Sequence, residues 1–198
     1  YESAMLMVSD LLRAARDPAL CLALERRSPD RYAAPERGVP VVVWNVVGHC
    51  NLSCPHCYAS ASREPSAQDL DPEEGLDLLE QLARAGTKVV IFSGGEPLLR
   101  RDLFELIVRA KSLGLNPQLS TNGVFIDDAV ALRLKQAGVA YVGISIDGMP
   151  DFNDRYRGLL GGFSRASAGI VASKRAGIKT GLRITLSKLN RTELEPLL

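Results

Sequence analysis

Three cysteines stand close together in the run His49-Cys50-Asn51-Leu52-Ser53-Cys54-Pro55-His56-Cys57-Tyr58. A C-x3-C-x2-C spacing lets three thiolates wrap one small metal centre. A four-iron cubane takes one thiolate per iron, so three cysteines leave one iron open to a substrate or cofactor. The alternative is a structural zinc completed by His49 or His56, because three cysteines and a histidine are a common zinc set. Disulfide scaffolds spread their cysteines through a small chain, which excludes that reading here. The remaining cysteine, Cys21, reads as a plain buried thiol in an N-terminal helix.

A second chemical motif is Ser93-Gly94-Gly95-Glu96-Pro97. Paired glycines let backbone approach a ligand closely, and their carbonyls can accept from an ammonium group. Ser120-Thr121-Asn122-Gly123 and Ser145-Ile146-Asp147-Gly148 are polar runs of the same kind further along. Arg183 and Thr185 fall in an apolar stretch later still. An inward arginine there needs a partner, since an unpaired buried charge is costly, and an anionic ligand such as a carboxylate would supply one.

These motifs need elements to position them, and the periodicity provides five. Strands are expected at Val41–Val47, Lys88–Phe92, Pro117–Thr121, Val139–Ile146 and Lys179–Leu186. Helices are expected at about 72–85, 102–113, 127–137 and 162–176, with another starting near Thr192. The first opens on Asp71, Pro72 and Glu74, an N-cap, a first-turn proline and a first-turn acid. Alternating strands and helices require parallel strands with helical crossovers, in an open doubly wound sheet or a β/α barrel. Parity favours the barrel. Val142, Ile144 and Ile146 share one face of the fourth strand, while Gly143, Ser145 and Asp147 share the other. Leu182, Ile184 and Leu186 oppose Gly181, Arg183 and Thr185 in the same way, and Gln118, Ser120 and Asn122 lie together on the third strand. A doubly wound sheet is covered on both faces and reads apolar on both. A small, polar face suits the ligand-holding interior of a barrel, whose active sites gather at the C-terminal strand ends.

The expected fold is therefore an α/β partial (β/α) barrel over residues 41–198. A helical extension and linker precede it over residues 1–40, with helices at 4–16 and 18–27 and a Pro/Gly-rich connection at 28–40. Five strands cannot close a barrel, so the C-terminal strands are expected beyond Leu198. The 24 basic and 23 acidic side chains leave a net charge of +1, which argues for neither a nucleic-acid nor a membrane partner. No apolar run reaches the roughly 20 residues of a membrane span, and no secretory signal is evident. Clustered thiols without an export signal point to the cytoplasm.

The cysteine triplet, the Gly-Gly-Glu-Pro run and the Ser/Asp strand end together resemble the radical S-adenosylmethionine (SAM) superfamily, over about residues 41–190. The resemblance implies a radical SAM barrel in which Cys50, Cys54 and Cys57 hold a 4Fe-4S cluster. Its fourth iron would take the amino and carboxylate groups of SAM. Gly94 and Gly95 would accept from that amino group through backbone, with Glu96 nearby. Ser145 and Asp147 would face the ribose, Arg183 or Thr185 the carboxylate side, and His56 and Tyr58 the adenine. Ser120 and Asn122 would complete the cofactor-binding strand ends. Reductive cleavage of SAM would give a 5′-deoxyadenosyl radical for hydrogen abstraction, with electrons from a ferredoxin or flavodoxin. Val41-Val42-Val43-Trp44-Asn45, Tyr141-Val142-Gly143-Ile144-Ser145-Ile146-Asp147-Gly148 and Asn153-Asp154-Arg155-Tyr156-Arg157-Gly158 are similar to enzymes that alter tetrapyrrole side chains in haem biosynthesis. That implies a tetrapyrrole substrate, with a peptide-modifying or maturation enzyme as the alternative.

Overall fold

The computed structural model describes residues 41–197. The expected N-terminal helices, the linker and Cys21 lie outside the described residues. Five strands form one parallel sheet, β1 (Val41–Asn45), β2 (Val89–Ser93), β3 (Asn116–Thr121), β4 (Tyr141–Ser145) and β5 (Lys179–Arg183). The main crossover helices are α1 (Pro72–Arg84), α2 (Leu103–Ser112), α3 (Asp128–Ala137) and, after β4, α4 (Pro150–Arg157) followed by α5 (Gly162–Arg175). A short α6 (Leu194–Leu197) follows β5.

Spatial order equals chain order, β1-β2-β3-β4-β5. This decides between the two topologies. Right-handed crossovers that always step in one direction place every helix on the same side of the sheet. A doubly wound sheet reverses direction and uses both sides. The sheet is therefore of the barrel type, with one helix-covered face and one bare face.

Each helix is started and stopped by local chemistry. Asp71 accepts from the Glu74 N–H while Glu74 accepts from the Asp71 N–H, a closed capping box with Pro72 at the first helical position. Asp127 caps α3 through the Val130 N–H. The covered side of the sheet supplies Trp44, Phe92, Leu119, Val142 and Ile144, which pack with Leu79, Leu106 and Leu134 of the helices in one core. No helix of the described residues is long and apolar enough to cross a membrane.

Strand alternation holds where it was read most strongly, with Val142 and Ile144 fully buried and Ile146 nearly so. Three expectations are corrected. β1, β4 and β5 are shorter than the apolar runs that contain them. Leu186, expected on the covered face, lies beyond the end of β5 and is 57% exposed, because the chain has already turned away to bond Asp147. The bare face is small and polar on β3 to β5, but β1 presents the exposed Val41 and Val43 there. The sequence also concealed α4, whose eight residues are mostly polar.

Arg100 shows how the fold braces β1. It is buried, forks onto Asp102 through Nε and Nη2 at 2.9 and 2.8 Å, and donates Nη1 to the Val46 carbonyl at 2.8 Å. Its guanidinium also lies 5.5 Å from the Trp44 ring centroid. Removing one partner of a buried pair strands the other, which costs about 3–5 kcal/mol when both are fully buried. Asp102 keeps some solvent, so Arg100→Ala should cost about 2–3 kcal/mol of unfolding free energy. Denaturant titration checks this, with Arg101→Ala, an exposed neighbour, expected to change little.

Candidate functional site

The site is built at the C-terminal ends of the strands. β1 pairs with β2 up to Asn45 opposite Ser93, and the ladder then continues without regular strand. The Val46 N–H donates to Ser93 O, the Gly95 N–H to Val47 O at 2.8 Å, and the Glu96 N–H to His49 O at 2.9 Å. The glycine pair thus lies flat against the start of the cysteine loop. A Cβ on Gly95 would stand 2.0 Å from His49 O, and one on Gly94 2.4 Å from Val47 O. Gly94 also holds φ +131, a conformation L side chains rarely adopt. Both glycines are therefore required by the fold itself, before any ligand is considered. Neither glycine carbonyl accepts a hydrogen bond among the described residues.

The cysteine loop is held on its other side by residues the sequence reading did not single out. The Cys50 N–H donates to Ser62 O, and Gly48 N–H to Asp69 Oδ1 at 2.8 Å. Arg63 donates to Asn51 O at 2.9 Å and to Ser53 Oγ at 2.5 Å. From β3, Asn122 reaches over with Nδ2 2.8 Å from Asn51 Oδ1 and 3.9 Å from Cys50 Sγ. So Cys50, Cys54 and Cys57 line one cavity of about 290 Å³ together with Leu52, Ser53 and Pro55.

The other expected residues divide into those facing the open side and those built into the fold. Glu96 is fully buried, and its oxygens accept from Thr121 Oγ1, the Asn122 N–H and the Leu98 N–H at 2.7, 2.8 and 3.1 Å. It staples the end of β3 to the glycine turn. Burial pushes its carboxyl up, and those three donors only partly oppose the shift. The Asp147 carboxylate is likewise enclosed, with Oδ2 3.0 Å from His56 Nε2 and 2.7 Å from Arg157 Nη2. The His56 ring stacks on Tyr156 at 4.1 Å and 5°. His56 therefore faces α4 and offers a ligand its backbone rather than an open ring. Tyr58 is exposed, with its hydroxyl 2.9 Å from Ser93 Oγ and 3.3 Å from Asn45 Oδ1.

On the bare face, Ser145 pairs opposite Arg183 and its hydroxyl makes no hydrogen bond among the described residues. Arg183 has found a partner within the fold, since its Nη1 donates to Ser120 Oγ at 3.0 Å. It lies across Gly143, where a Cβ would meet Arg183 Nε at 2.2 Å. Thr185 is exposed, and its N–H donates to Asp147 Oδ1 at 2.8 Å.

This donor set fits a multi-iron cluster better than a single ion. Among the described residues no three His, Cys, Asp or Glu side chains converge tightly enough to hold one metal ion. The thiols instead border a shared cavity, as a cubane with one iron per sulfur requires. Burial pushes the Cys50 and Cys54 thiols up, and ligation by a metal is what would deprotonate them.

A sequential parallel sheet with a three-thiol cavity and a glycine pair at its C-terminal end defines a β/α-barrel enzyme carrying an iron–sulfur centre. Residues 44–198 match the radical SAM superfamily, and the chain belongs to it. The cofactors are accordingly a 4Fe-4S cluster and S-adenosylmethionine. Fe-coproporphyrin III synthase of Methanosarcina barkeri is 46% identical over 151 residues, covering 76% of this chain and 38% of that protein. Pre-heme d1 synthase of Dinoroseobacter shibae is 43% identical over 173 residues, covering 86% of this chain and 42% of that protein. The chain thus spans about two fifths of the length of these relatives. Among solved structures, native anSMEcpe with bound AdoMet shares the fold at TM-score 0.61 and 22% identity, covering 72% of this chain and 42% of that one.

Two outcomes follow from this geometry. Gly95→Ala should lower the iron content after anaerobic reconstitution, because its Cβ collides with the cysteine loop backbone rather than only with a ligand. Iron and sulfide assays read this, and a fully loaded variant would contradict the contact. Glu96→Gln offers one oxygen to two separate N–H donors and should destabilise the fold by about 1–3 kcal/mol. The parent's advantage should shrink as pH rises. A carboxyl whose pKa is raised in the folded state contributes stability present below its unfolded pKa and lost through the folded one. Denaturant titrations from mildly acidic to mildly alkaline pH measure that trend.

Proposed function

We propose that this chain is the SAM-cleaving part of an enzyme that modifies a side chain of a haem-precursor tetrapyrrole. The observation that carries the cofactor assignment is the shared cavity bordered by Cys50, Cys54 and Cys57 beside the glycine turn. Support for the substrate class is the identity of 46% and 43% to the two synthases above.

In this reading the three thiolates hold three irons. The free carbonyls of Gly94 and Gly95 accept from the methionine ammonium of SAM. Ser145, with an unengaged hydroxyl on the bare face, takes a ribose hydroxyl. Arg183 exchanges Ser120 for the methionine carboxylate, and Thr185 flanks it. The backbone at His56 and Tyr58 borders the adenine. Glu96, Asn122 and Asp147 position these elements rather than touch the ligand, because their side-chain oxygens already accept hydrogen bonds or, for Asp147 Oδ2, lie enclosed against Arg157 and His56. When bound, cluster and SAM supply one-electron cleavage that yields a hydrogen-abstracting adenosyl radical. The protein's part is to orient the cofactor and exclude side reactions. A one-electron donor of the ferredoxin or flavodoxin type and a reducing cytoplasm belong to the same reading, with neither nucleic acid nor membrane as partner.

Anaerobic reconstitution should give about four irons per chain, lost on replacing Cys50, Cys54 and Cys57 by Ala. Ser145→Ala should keep the iron but weaken the change that SAM makes in the electron paramagnetic resonance spectrum, by roughly tenfold in apparent Kd for one lost hydrogen bond. Unchanged binding would remove Ser145 from the site. For the substrate, the enzyme is supplied with propionate-bearing tetrapyrroles and, separately, with peptides. Consumption of peptide alone, with no tetrapyrrole altered, would overturn the substrate class.

A further inference from the structure

A polar network among the described residues is centred on Asp147, and cofactor contacts do not account for it. Its side chain has no solvent exposure. Oδ2 lies 2.7 Å from Arg157 Nη2 and 3.0 Å from His56 Nε2, and Oδ1 accepts from the Thr185 N–H at 2.8 Å. The backbone of the same residue is also gripped. The Asp147 N–H donates to Asn153 Oδ1 at 3.0 Å, and Asn190 Nδ2 donates to Asp147 O at 2.9 Å. Three separate segments therefore meet on one residue. They are the cysteine loop through His56, α4 through Asn153 and Arg157, and the turn after β5 through Thr185 and Asn190.

His56 lies between Cys54 and Cys57 in sequence, so its approach to Asp147 brings that half of the loop against the carboxylate. α4 comes equally close from its other end. Cys54 Sγ is 3.7 Å from the Arg157 carbonyl, which accepts from the thiol. The Asp147–Arg157 pair and the His56–Tyr156 stack also hold α4 against the loop. Arg157 thus lies beside both the Asp147 carboxylate and the Cys54 sulfur.

We propose that Asp147 and Arg157 form a positioning pair that fixes the Cys54–Cys57 half of the loop and sets the reduction potential of the cluster held there. Cluster potentials follow the net charge, hydrogen bonding and solvent access around the sulfurs, and groups behind the ligands tune them. The pair is enclosed, with side chains 0% and 10% exposed, so water screens its charges little. Reduction adds negative charge to the cluster. An unopposed cation beside it raises the potential, and an unopposed carboxylate lowers it.

The inference rests on the cluster assignment, and iron content separates the two. A parent that takes up no iron would defeat that assignment, whereas a loaded variant with an unaltered potential would defeat this one. The variants are Asp147→Asn, Arg157→Gln and the two combined, reconstituted anaerobically and titrated by electron paramagnetic resonance. Asp128→Asn, in the exposed pair with Arg175, is the control. Iron below the parent but sufficient for titration is expected in the three pair variants and parental iron in the control, with an upward shift of midpoint for Asp147→Asn, a downward shift for Arg157→Gln, a return toward the parent in the combination, and no shift in the control. If Asp147→Asn does not fold, the downward shift of Arg157→Gln and its cancellation in the combined variant decide the matter. Unshifted midpoints, shifts of one sign in both single variants, or failure of all three to fold would overturn the proposal and leave the pair a structural contact only.

Discussion

The parallel ladder between β1 and β2 does not stop where the strands stop. It runs on through Val46, Gly95 and Glu96, and the last two of its bonds are made to carbonyls of the segment that becomes the cysteine loop. At that point the backbones are too close for a Cβ on either glycine. This one approach sets where the loop leaves the sheet, and the rest of the site is arranged around it. Asn122 can reach Asn51 because Glu96 has pinned the end of β3 to the same turn. Arg100 can hold the Val46 carbonyl because the 3-10 turn Pro97–Leu99 starts directly after Glu96. A glycine turn of this kind serves the fold and the ligand with the same atoms, since close packing on one edge leaves its carbonyls unengaged on the other.

The second constraint is one-sidedness. Crossovers that never reverse direction gather all helices on one face and leave the other to be filled by side chains and ligand alone. The chain fills it sparingly. Gly143 stands opposite Gly181 in the register, and the space so left is occupied by Arg183 folded over the first and Tyr141 over the second. Arg183 thereby reaches Ser120 across β4. A long, cationic side chain held by one neutral hydroxyl is restrained weakly, because a charged donor gains far more from a carboxylate than from a serine. The bare face thus carries a cation whose side-chain hydrogen bond is to a neutral hydroxyl, near the strand end where Ser145 sits.

Much of this was legible in residue order, and the reasons are physical. Buried strands in a one-sided sheet alternate in residue size and polarity, so β3 and β4 were readable from Gln118, Ser120 and Val142, Ile144. The cysteine triplet and the glycine pair were readable because their chemistry needs particular residue types. The α4 helix was not, since Pro150-Asp151-Phe152-Asn153-Asp154-Arg155-Tyr156-Arg157 is mostly polar, with Phe152 and Tyr156 its only large rings. Its start and stop were nevertheless written in Pro150 at the first turn and Gly158 in the left-handed position after it. Parity places Asp147 at a strand end and the family resemblance implies a ribose contact for it, but parity says nothing of what arrives from elsewhere. His56 and Arg157 reach it from segments 91 positions before and 10 after, and only the folded chain brings them together. Arg63 was missed for the same reason, being an ordinary surface arginine by sequence and a brace by position.

The buried charges of this domain are concentrated beyond the C-terminal ends of the strands. Glu96, Arg100, Asp147 and Arg157 all lie there, and the core beneath them is aliphatic and aromatic. Buried ionic contacts are a poor way to gain stability, since desolvation offsets most of their attraction. Their merit is geometric. A hydrophobic contact tolerates sliding, whereas a carboxyl group that accepts from Leu98 in its own turn and from Thr121 and Asn122 at once fixes that turn to the end of β3 to within the length of a hydrogen bond. Loops without regular structure have no ladder to set their register, and three thiols that must meet one cluster require register. The division of labour follows from that need. The aliphatic core makes the sheet stable, and the costly polar contacts are placed only where loops have to be held in position.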